Sequence, residues 1–194
     1  SYVLSSKIEE FDTELLGELG KFNEKYFPSP QFKLMVREGE IDEKTYCKEK
    51  EAEFFKTYDS LIKKYHIELI SEEPQNFLEK WYLKGIRDEI NLVYSEINKI
   101  EDSNHRALLY VVLSRTMRSC RATTHSDLAT LKEPVQTTYY CRKHGKICKP
   151  LFSILRWWIT YAKDTLNRLD AFSRLKTDTM QECITGDSRG VDIV

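Results

Sequence analysis

The chain has 194 residues, of which 41% are hydrophobic and 31% charged, and its formal net charge at pH 7 is −1. This length and composition predict one domain with a substantial core, and the near-neutral charge argues against a generic polybasic binder. We expect no membrane partner, because no run reaches the length of a membrane span and no charged-then-apolar leader opens the sequence. An odd number of cysteines, five, fits the reducing cytoplasm better than a disulfide framework.

The first hundred residues show the apolar spacing of amphipathic helices. Asp42 or one of its neighbours is the expected N-cap of the helix that runs to about residue 65. Between the first two helices, residues 32–36 form a short apolar run that we expect to be an extended connector. The aromatic residues of 77–82 are expected to anchor a connection. Three helices are predicted in this part of the chain: residues 5–26, about 42–65 and about 84–100.

Two further helices are predicted in the second half. Residues 103–118 have little polar face, so this helix is expected in the centre of the bundle. Pro150 fits the first turn of a long helix that reaches about residue 176. Its apolar stripe, with residues such as Leu166 and Phe172, is expected to pack on the bundle. Residues 182–189 are strand-like.

Positive charge is concentrated in residues 114–150, which contain eight basic and two acidic residues, a net charge of +6. Residues 1–104 contain 15 basic and 23 acidic residues, a net charge of −8. A basic segment that also carries Tyr139 and Tyr140 suits a nucleic-acid backbone and unstacked bases. The alternative is that these charges pair with the acidic N-terminal helices. The predicted DNA-binding residues are Arg115, Arg118, Arg121, Arg142, Lys143, Lys146 and Lys149.

The same segment contains a candidate zinc site. Cys141, His144 and Cys148 place three zinc-type ligands within eight residues, and Cys120 or His125 can supply a fourth. The alternative is that these side chains are structural hydrogen-bonding groups and small core residues. A further hypothesis is nucleophilic catalysis by Cys141 or Cys148, which no catalytic sequence motif supports. Cys47 and Cys183 are expected to be buried small side chains.

Several motifs in residues 75–194 form a combination that is similar to a known family. The motifs are Ser114-Arg, Arg118-Ser-Cys-Arg121, Thr124-His-Ser-Asp-Leu128, Tyr140-Cys-Arg-Lys-His144, Cys148-Lys-Pro150 and Gly186-Asp-Ser-Arg189. On these motifs, the chain resembles prokaryotic DNA modification methylases, which use S-adenosylmethionine to methylate the exocyclic amine of adenine or cytosine.

This resemblance implies a place for the chain within a larger enzyme. In the family, a glycine-rich cofactor loop comes upstream of such a region, and a strand ending in a Pro-Pro-Tyr motif comes shortly downstream. We therefore expect a region lying between the two catalytic halves, with no catalytic residue and no S-adenosylmethionine-binding residue of its own. One expected partner is double-stranded DNA, which this region would bind while a base is extruded. The other is the remaining catalytic domain of the same polypeptide. The alternative is a zinc-stapled structural domain that packs on the catalytic halves without touching DNA.

The predicted fold class is mainly α: a multi-helix bundle with an irregular basic loop that contains the cysteines and histidines, and a short strand-like C-terminal segment. Within a single domain, we expect a helical scaffold (1–113), the basic loop (114–150), a long helix packed on the bundle (151–180) and the start of a catalytic sheet (181–194).

Overall fold

The computed structural model describes residues 2–127, 131–175 and 177, with side chains described from residue 6 onwards. The mainly α-helical prediction is confirmed. The expected strand-like segment, with Cys183 in it, and Leu128 of the loop motif lie outside the described residues. The elements are α1 (Tyr2–Tyr26), α2 (Gln31–Arg37), α3 (Glu43–Tyr65), α4 (Phe77–Trp81), α5 (Lys84–Asn98), α6 (Ser103–Ser119), β1 (Tyr139–Cys141), β2 (Lys146–Cys148) and α7 (Leu155–Leu175).

The main core forms where the apolar faces of α1, α3 and α5 meet. Phe11 of α1, Phe54 of α3 and Ile86 of α5 are each at most 1% exposed. The rings of Phe22 and Phe54 lie with their centroids 4.9 Å apart, which joins α1 to α3. Each such buried side chain contributes roughly 1.5–3 kcal/mol relative to its exposed state, so the amphipathic spacing of the sequence accounts for this part of the fold.

Two helix starts follow from local capping. The Asp42 carboxylate accepts a hydrogen bond from the backbone N–H of Thr45 at 3.1 Å, as expected for the N-cap of α3. Asp102 accepts from the N–H of His105 at 2.7 Å and begins α6. Both bonds are local, because they involve residues only three apart. The cap of α3 and the position of α6 were predicted from the sequence, but the Asp102 cap was not.

The expectation of an extended connector at residues 32–36 is wrong, because these residues lie in the short helix α2. Phe32 is 3% exposed and packs edge-on against Phe27, with ring centroids 5.0 Å apart. A run of five residues, four of them apolar, has no decisive periodicity. The Phe32 ring also lies against Tyr46 of α3 and Tyr140 of β1, with centroids 5.8 and 6.3 Å apart, and this packing on other elements selects the helix.

The last described helix begins at Leu155, so the prediction that it starts at Pro150 is wrong. The backbone N–H of Ile154 donates to Glu89 Oε2 of α5 at 2.6 Å. Phe152 is buried against Phe11, with ring centroids 4.8 Å apart. These long-range contacts hold the preceding residues in an irregular conformation.

The prediction of a central α6 is also wrong. Of its apolar run 107–113, only Val112 and Leu113 are buried, and Val111 is 52% exposed. The apolar stripe of α7 is likewise largely uncovered by the described chain, since Leu166 is 62% and Phe172 is 54% exposed. The two helices pack on each other, and this shared contact leaves apolar side chains of both at the surface.

None of the helices in the described part of the chain combines the length and the apolar character of a membrane span.

Candidate functional site

A small β-hairpin builds most of the cysteine and histidine cluster. β1 and β2 pair antiparallel, with Cys141 opposite Lys146. Cys148 lies two residues beyond Lys146 on β2, so its side chain points to the same face as that of Cys141. In the turn, the backbone N–H groups of His144 and Gly145 both donate to the Cys141 carbonyl, at 3.1 and 2.7 Å. Gly145 has φ +63°, a left-handed conformation that favours glycine and closes this turn.

The hairpin meets the segment that follows α6, and this contact completes a group of four ligand atoms. One ligand atom each from His125, Cys141, His144 and Cys148 lies within 4.8 Å of every other. The His144 Nδ1 to Cys148 Sγ distance is 3.4 Å, and the two imidazole centroids are 4.5 Å apart. The cysteines are buried and the histidines are exposed, so the group opens towards the surface through its imidazoles.

Tyr139 holds His125 in place. Its hydroxyl accepts a hydrogen bond from the backbone N–H of His125 at 3.2 Å and lies 3.0 Å from His125 Nδ1. The segment around His125 is shaped by a turn in which the Thr124 hydroxyl donates to Asp127 at 2.7 Å. Tyr139 therefore orients a candidate ligand, a role that the sequence analysis missed.

Burial and neighbouring groups shift the pKa values within the cluster. Burial lowers the pKa of His125, and the nearby His144 and Lys143 lower it further, which favours the neutral imidazole that metals bind. Burial raises the pKa of Cys148 to about 12, and the adjacent Cys141 sulfur adds to this effect. A bound cation reverses this preference, because coordination removes the thiol proton.

Cys120, the other predicted ligand, lies elsewhere. It is 2% exposed and belongs to the main core. Burial raises its pKa to about 12, and the Glu89 carboxylate contributes to the shift. The structure therefore brings together His125 and the three hairpin residues, without Cys120.

The hypothesis of a cysteine nucleophile finds no support in this geometry. Cys141 is 2% exposed and Cys148 is 8% exposed. The raised pKa of Cys148 is the opposite of the lowered value that activates a catalytic thiolate.

Two of the predicted DNA-binding residues pair with the acidic helices. Lys149 forms an ion pair with Asp12 of α1, and its side chain is only 13% exposed. Arg142 lies 3.5 Å from Glu43 at the start of α3, although its own side chain is 82% exposed. Both contacts attach the hairpin to the helical scaffold, as the alternative interpretation of these charges expects.

Arg115 is directed into the contact between α6 and α7. Its guanidinium donates to Asp164 at 2.5 Å and to the Thr165 hydroxyl at 3.0 Å. Its guanidinium carbon also lies 4.5 Å from the centroid of the Tyr161 ring. These contacts give Arg115 a structural role between the two helices.

The other four predicted DNA-binding residues lie on the hairpin or at the exit of α6. Arg118, Lys143 and Lys146 are exposed, and within the described chain none of the three forms an ion pair. Arg121 Nε donates to the Arg118 carbonyl at 3.1 Å. Two of these cations, Lys143 and Lys146, lie on the hairpin, and two arginines lie at the exit of α6.

The two arginines line a groove between α4, α5 and α6 with a volume of about 620 Å³. Phe77 and Tyr94, which also line it, are 53% and 51% exposed, and the rings of Tyr94 and Tyr110 lie 5.7 Å apart. The sequence analysis missed these aromatic residues because they come from three separate elements. In the sequence, Phe77 falls in the aromatic group expected to anchor a connection and Tyr110 falls in the apolar run of α6, so neither is distinguished as a site residue.

Tyr139 and Tyr140, the aromatic residues predicted to meet bases, face inward, so that expectation is wrong. Tyr139 is 7% exposed. Tyr140 stacks on Phe27 with centroids 5.6 Å apart and donates its hydroxyl to Glu43 at 2.9 Å.

One comparison with known proteins identifies a relative. The chain is 40% identical over 191 residues to the type II methyltransferase M.MjaII of Methanocaldococcus jannaschii. The resemblance to methylases is confirmed. The alignment covers 95% of this chain and 36% of that methyltransferase, so the chain spans about a third of the relative's length. No family model and no solved structure matches the chain.

Proposed function

We propose that this chain is a DNA-contacting, target-recognition region of an S-adenosylmethionine-dependent DNA amino-methyltransferase. The observation that carries the proposal is the 40% identity, over nearly the whole chain, to a stretch that makes up 36% of a type II methyltransferase. Cofactor binding and methyl transfer are assigned to the rest of such an enzyme, and no residue of this chain is given a catalytic role.

The groove between α4, α5 and α6 supports a contact with DNA. Arg118 and Arg121 supply positive charge beside the exposed rings of Phe77 and Tyr94. Guanidinium groups bind phosphates, and aromatic faces stack on unpaired bases. A volume of about 620 Å³ lies within the range of roughly 300–1,000 Å³ typical of ligand sites, so the groove has room for a nucleotide displaced from the duplex.

The hairpin supplies a second basic contact. Lys143 and Lys146 are exposed on it, and the ion pairs of Arg142 and Lys149 attach it to the scaffold. We assign Lys143 and Lys146 to phosphate contacts, Arg118 and Arg121 to the groove, and Arg115 to the α6–α7 contact. The remaining two cations, Arg142 and Lys149, mainly position the hairpin.

Duplex binding measured at several salt concentrations tests this proposal. For wild-type protein, the logarithm of the binding constant is expected to fall linearly with the logarithm of salt concentration. Arg118→Ala, Lys143→Ala and Lys146→Ala are each expected to weaken binding and to reduce that slope by about 1. Lys56→Ala is the control, because it removes an exposed cation from the outer face of α3. Equal slopes for all variants, or no duplex binding by the wild type, would overturn the proposal.

The exposed apolar stripe of α7 favours a second candidate function, a structural domain that packs on the catalytic part without touching DNA. The unmatched part of the relative is 64% of its length and offers an occupant for that stripe. This candidate is supported if duplex binding is absent while Leu166→Glu prevents association with a separately supplied catalytic part. The stripe consists of Leu155, Ile159, Leu166, Leu169 and Phe172.

A further inference from the structure

We propose that His125, Cys141, His144 and Cys148 bind one zinc ion that joins the hairpin to the segment after α6. Their four ligand atoms all lie within 4.8 Å of one another. Tetrahedral zinc with two sulfur and two nitrogen ligands places neighbouring ligand atoms about 3.3–3.8 Å apart. The 3.4 Å between His144 Nδ1 and Cys148 Sγ already meets this spacing. Only small movements are needed for the remaining pairs.

The ligand chemistry selects zinc among common protein metals. Two thiolates and two imidazoles form a closed tetrahedral set of the structural type. Magnesium and calcium prefer oxygen ligands, which this group does not offer. With four protein ligands, no coordination position is left for substrate, so the ion has a structural role.

The fold around the group needs such a link. Tyr139, Cys141 and Cys148 are the buried residues of a small apolar cluster that is separate from the main core. A cluster of this size contributes little hydrophobic stabilisation. Four metal bonds from two separate segments would close the loop between residues 125 and 141, and metal binding of this kind is coupled to folding.

The surroundings of the ligands favour coordination. The Tyr139 hydroxyl lies 3.0 Å from His125 Nδ1, and an outer hydrogen bond of this type orients a metal-binding imidazole. Gly145 and the two hydrogen bonds to the Cys141 carbonyl fix the spacing between Cys141 and His144. The alternative interpretation, in which the four side chains only pack and hydrogen-bond, leaves unexplained why four ligand atoms from two segments lie within 4.8 Å of one another.

This inference is independent of the proposed contact with DNA, because its test measures metal. The 194-residue chain is purified under reducing conditions without chelator, and its metal content is determined by mass spectrometry. We expect about one zinc ion per chain. Cys148→Ser and His144→Ala are expected to lower the zinc content to near zero, and the matched control Cys47→Ser, which changes a buried cysteine of the main core, retains it.

Two further measurements keep the test decisive if a ligand variant fails to fold. His144→Cys supplies another zinc ligand and is expected to restore binding that His144→Ala loses. In the wild-type chain, cobalt substituted for zinc is expected to give the visible absorption of a tetrahedral site with sulfur ligands. Zinc content near zero, or a disulfide between Cys141 and Cys148 in the reduced preparation, would overturn the proposal. Loss of zinc in Cys120→Ser but not in His125→Ala would overturn the ligand assignment.

Discussion

Glu89 places a carboxyl group between α5 and the irregular segment that precedes α7. Its Oε2 accepts a hydrogen bond from the backbone N–H of Ile154 at 2.6 Å. Burial raises the pKa of Glu89, although the hydrogen bonds from Ile154 and Ser153 oppose the shift. The folded state therefore holds this proton more tightly than the unfolded state. The contribution of Glu89 to the free energy of unfolding is fully present below the pKa that this side chain has in the unfolded state. It decreases as the pH rises through the raised pKa of the folded state.

Replacing Glu89 with Gln is expected to raise the melting temperature at pH 8. The amide oxygen still accepts from Ile154, and the charge that burial disfavours is removed. At pH 4 the glutamate is largely protonated, so the two proteins are expected to melt close together. Thermal denaturation followed by circular dichroism between pH 4 and 8 measures this difference.

Asp88→Asn is the control for that comparison, because Asp88 is an exposed acid on the same helix that pairs with Lys84 at 2.7 Å. It is expected to change the melting temperature little. A Glu89→Gln protein that is less stable at pH 8 than the wild type would contradict the assignment of a disfavoured buried charge.

At the scale of elements, one asparagine of α1 forms two hydrogen bonds with the backbone of the hairpin. Asn23 Nδ2 donates to the Ile147 carbonyl at 3.0 Å, and the Ile147 N–H donates to Asn23 Oδ1 at 2.9 Å. Both backbone groups of one β2 residue are thus satisfied by a helix side chain. Removal of that side chain leaves two polar groups of the hairpin without their partners.

We expect Asn23→Ala to reduce the free energy of unfolding by about 1–3 kcal/mol, as measured by urea denaturation. Asn91→Ala is the matched control, because it makes the same substitution at an exposed position of α5. Alanine has the higher helix propensity, so the control is expected to be neutral or slightly stabilising. Equal effects at the two positions would show that the contact with Ile147 adds nothing to stability.

How much of these elements the sequence predicts depends on the range of the contacts that fix them. The starts of α3 and α6 were predictable because Asp42 and Asp102 cap them within three residues. The helix at residues 32–36 and the start of α7 at Leu155 were not. They depend on Phe32 packing against Tyr46 and Tyr140 and on Glu89 accepting a hydrogen bond from Ile154, contacts that no local pattern reveals.

The ligands of the candidate metal site are likewise predictable from the sequence only where local contacts fix them. The spacing of Cys141, His144 and Cys148 indicates three ligands, because they belong to one short hairpin. The identity of the fourth ligand depends on the path that the chain takes after α6. That path is fixed by hydrogen bonds from the Ala122 N–H to the Trp81 carbonyl at 2.8 Å and from the Val135 N–H to the Ala122 carbonyl at 2.7 Å. Spacing along the sequence therefore leaves Cys120 and His125 as alternatives.

At the scale of the whole molecule, the predicted DNA-binding residues of 114–150 divide into those paired within the chain and those proposed to contact DNA. Ion pairs with Asp12, Glu43 and Asp164 tie the segment to α1, α3 and α7. Arg118 at the exit of α6 and Lys143 in the hairpin turn are exposed, and the proposed function assigns both to DNA. Of these two cations, Lys143 lies between two of the proposed zinc ligands and Arg118 does not, so the metal is expected to affect them differently.

Removal of zinc is therefore expected to abolish the effect of Lys143 on DNA binding while preserving that of Arg118. With zinc bound, the turn between Cys141 and His144 is fixed, and Lys143→Ala is expected to reduce the salt slope by about 1. Without zinc, the turn loses two of its metal bonds, so the same substitution is expected to change the slope little. Arg118 is held by α6, and Arg118→Ala should reduce the slope equally in both forms. Duplex titrations of the wild type and both variants, before and after chelation, measure this coupling. An effect of Lys143→Ala that survives chelation unchanged would separate the metal from the DNA contact, because the hairpin would then hold its turn without the ion.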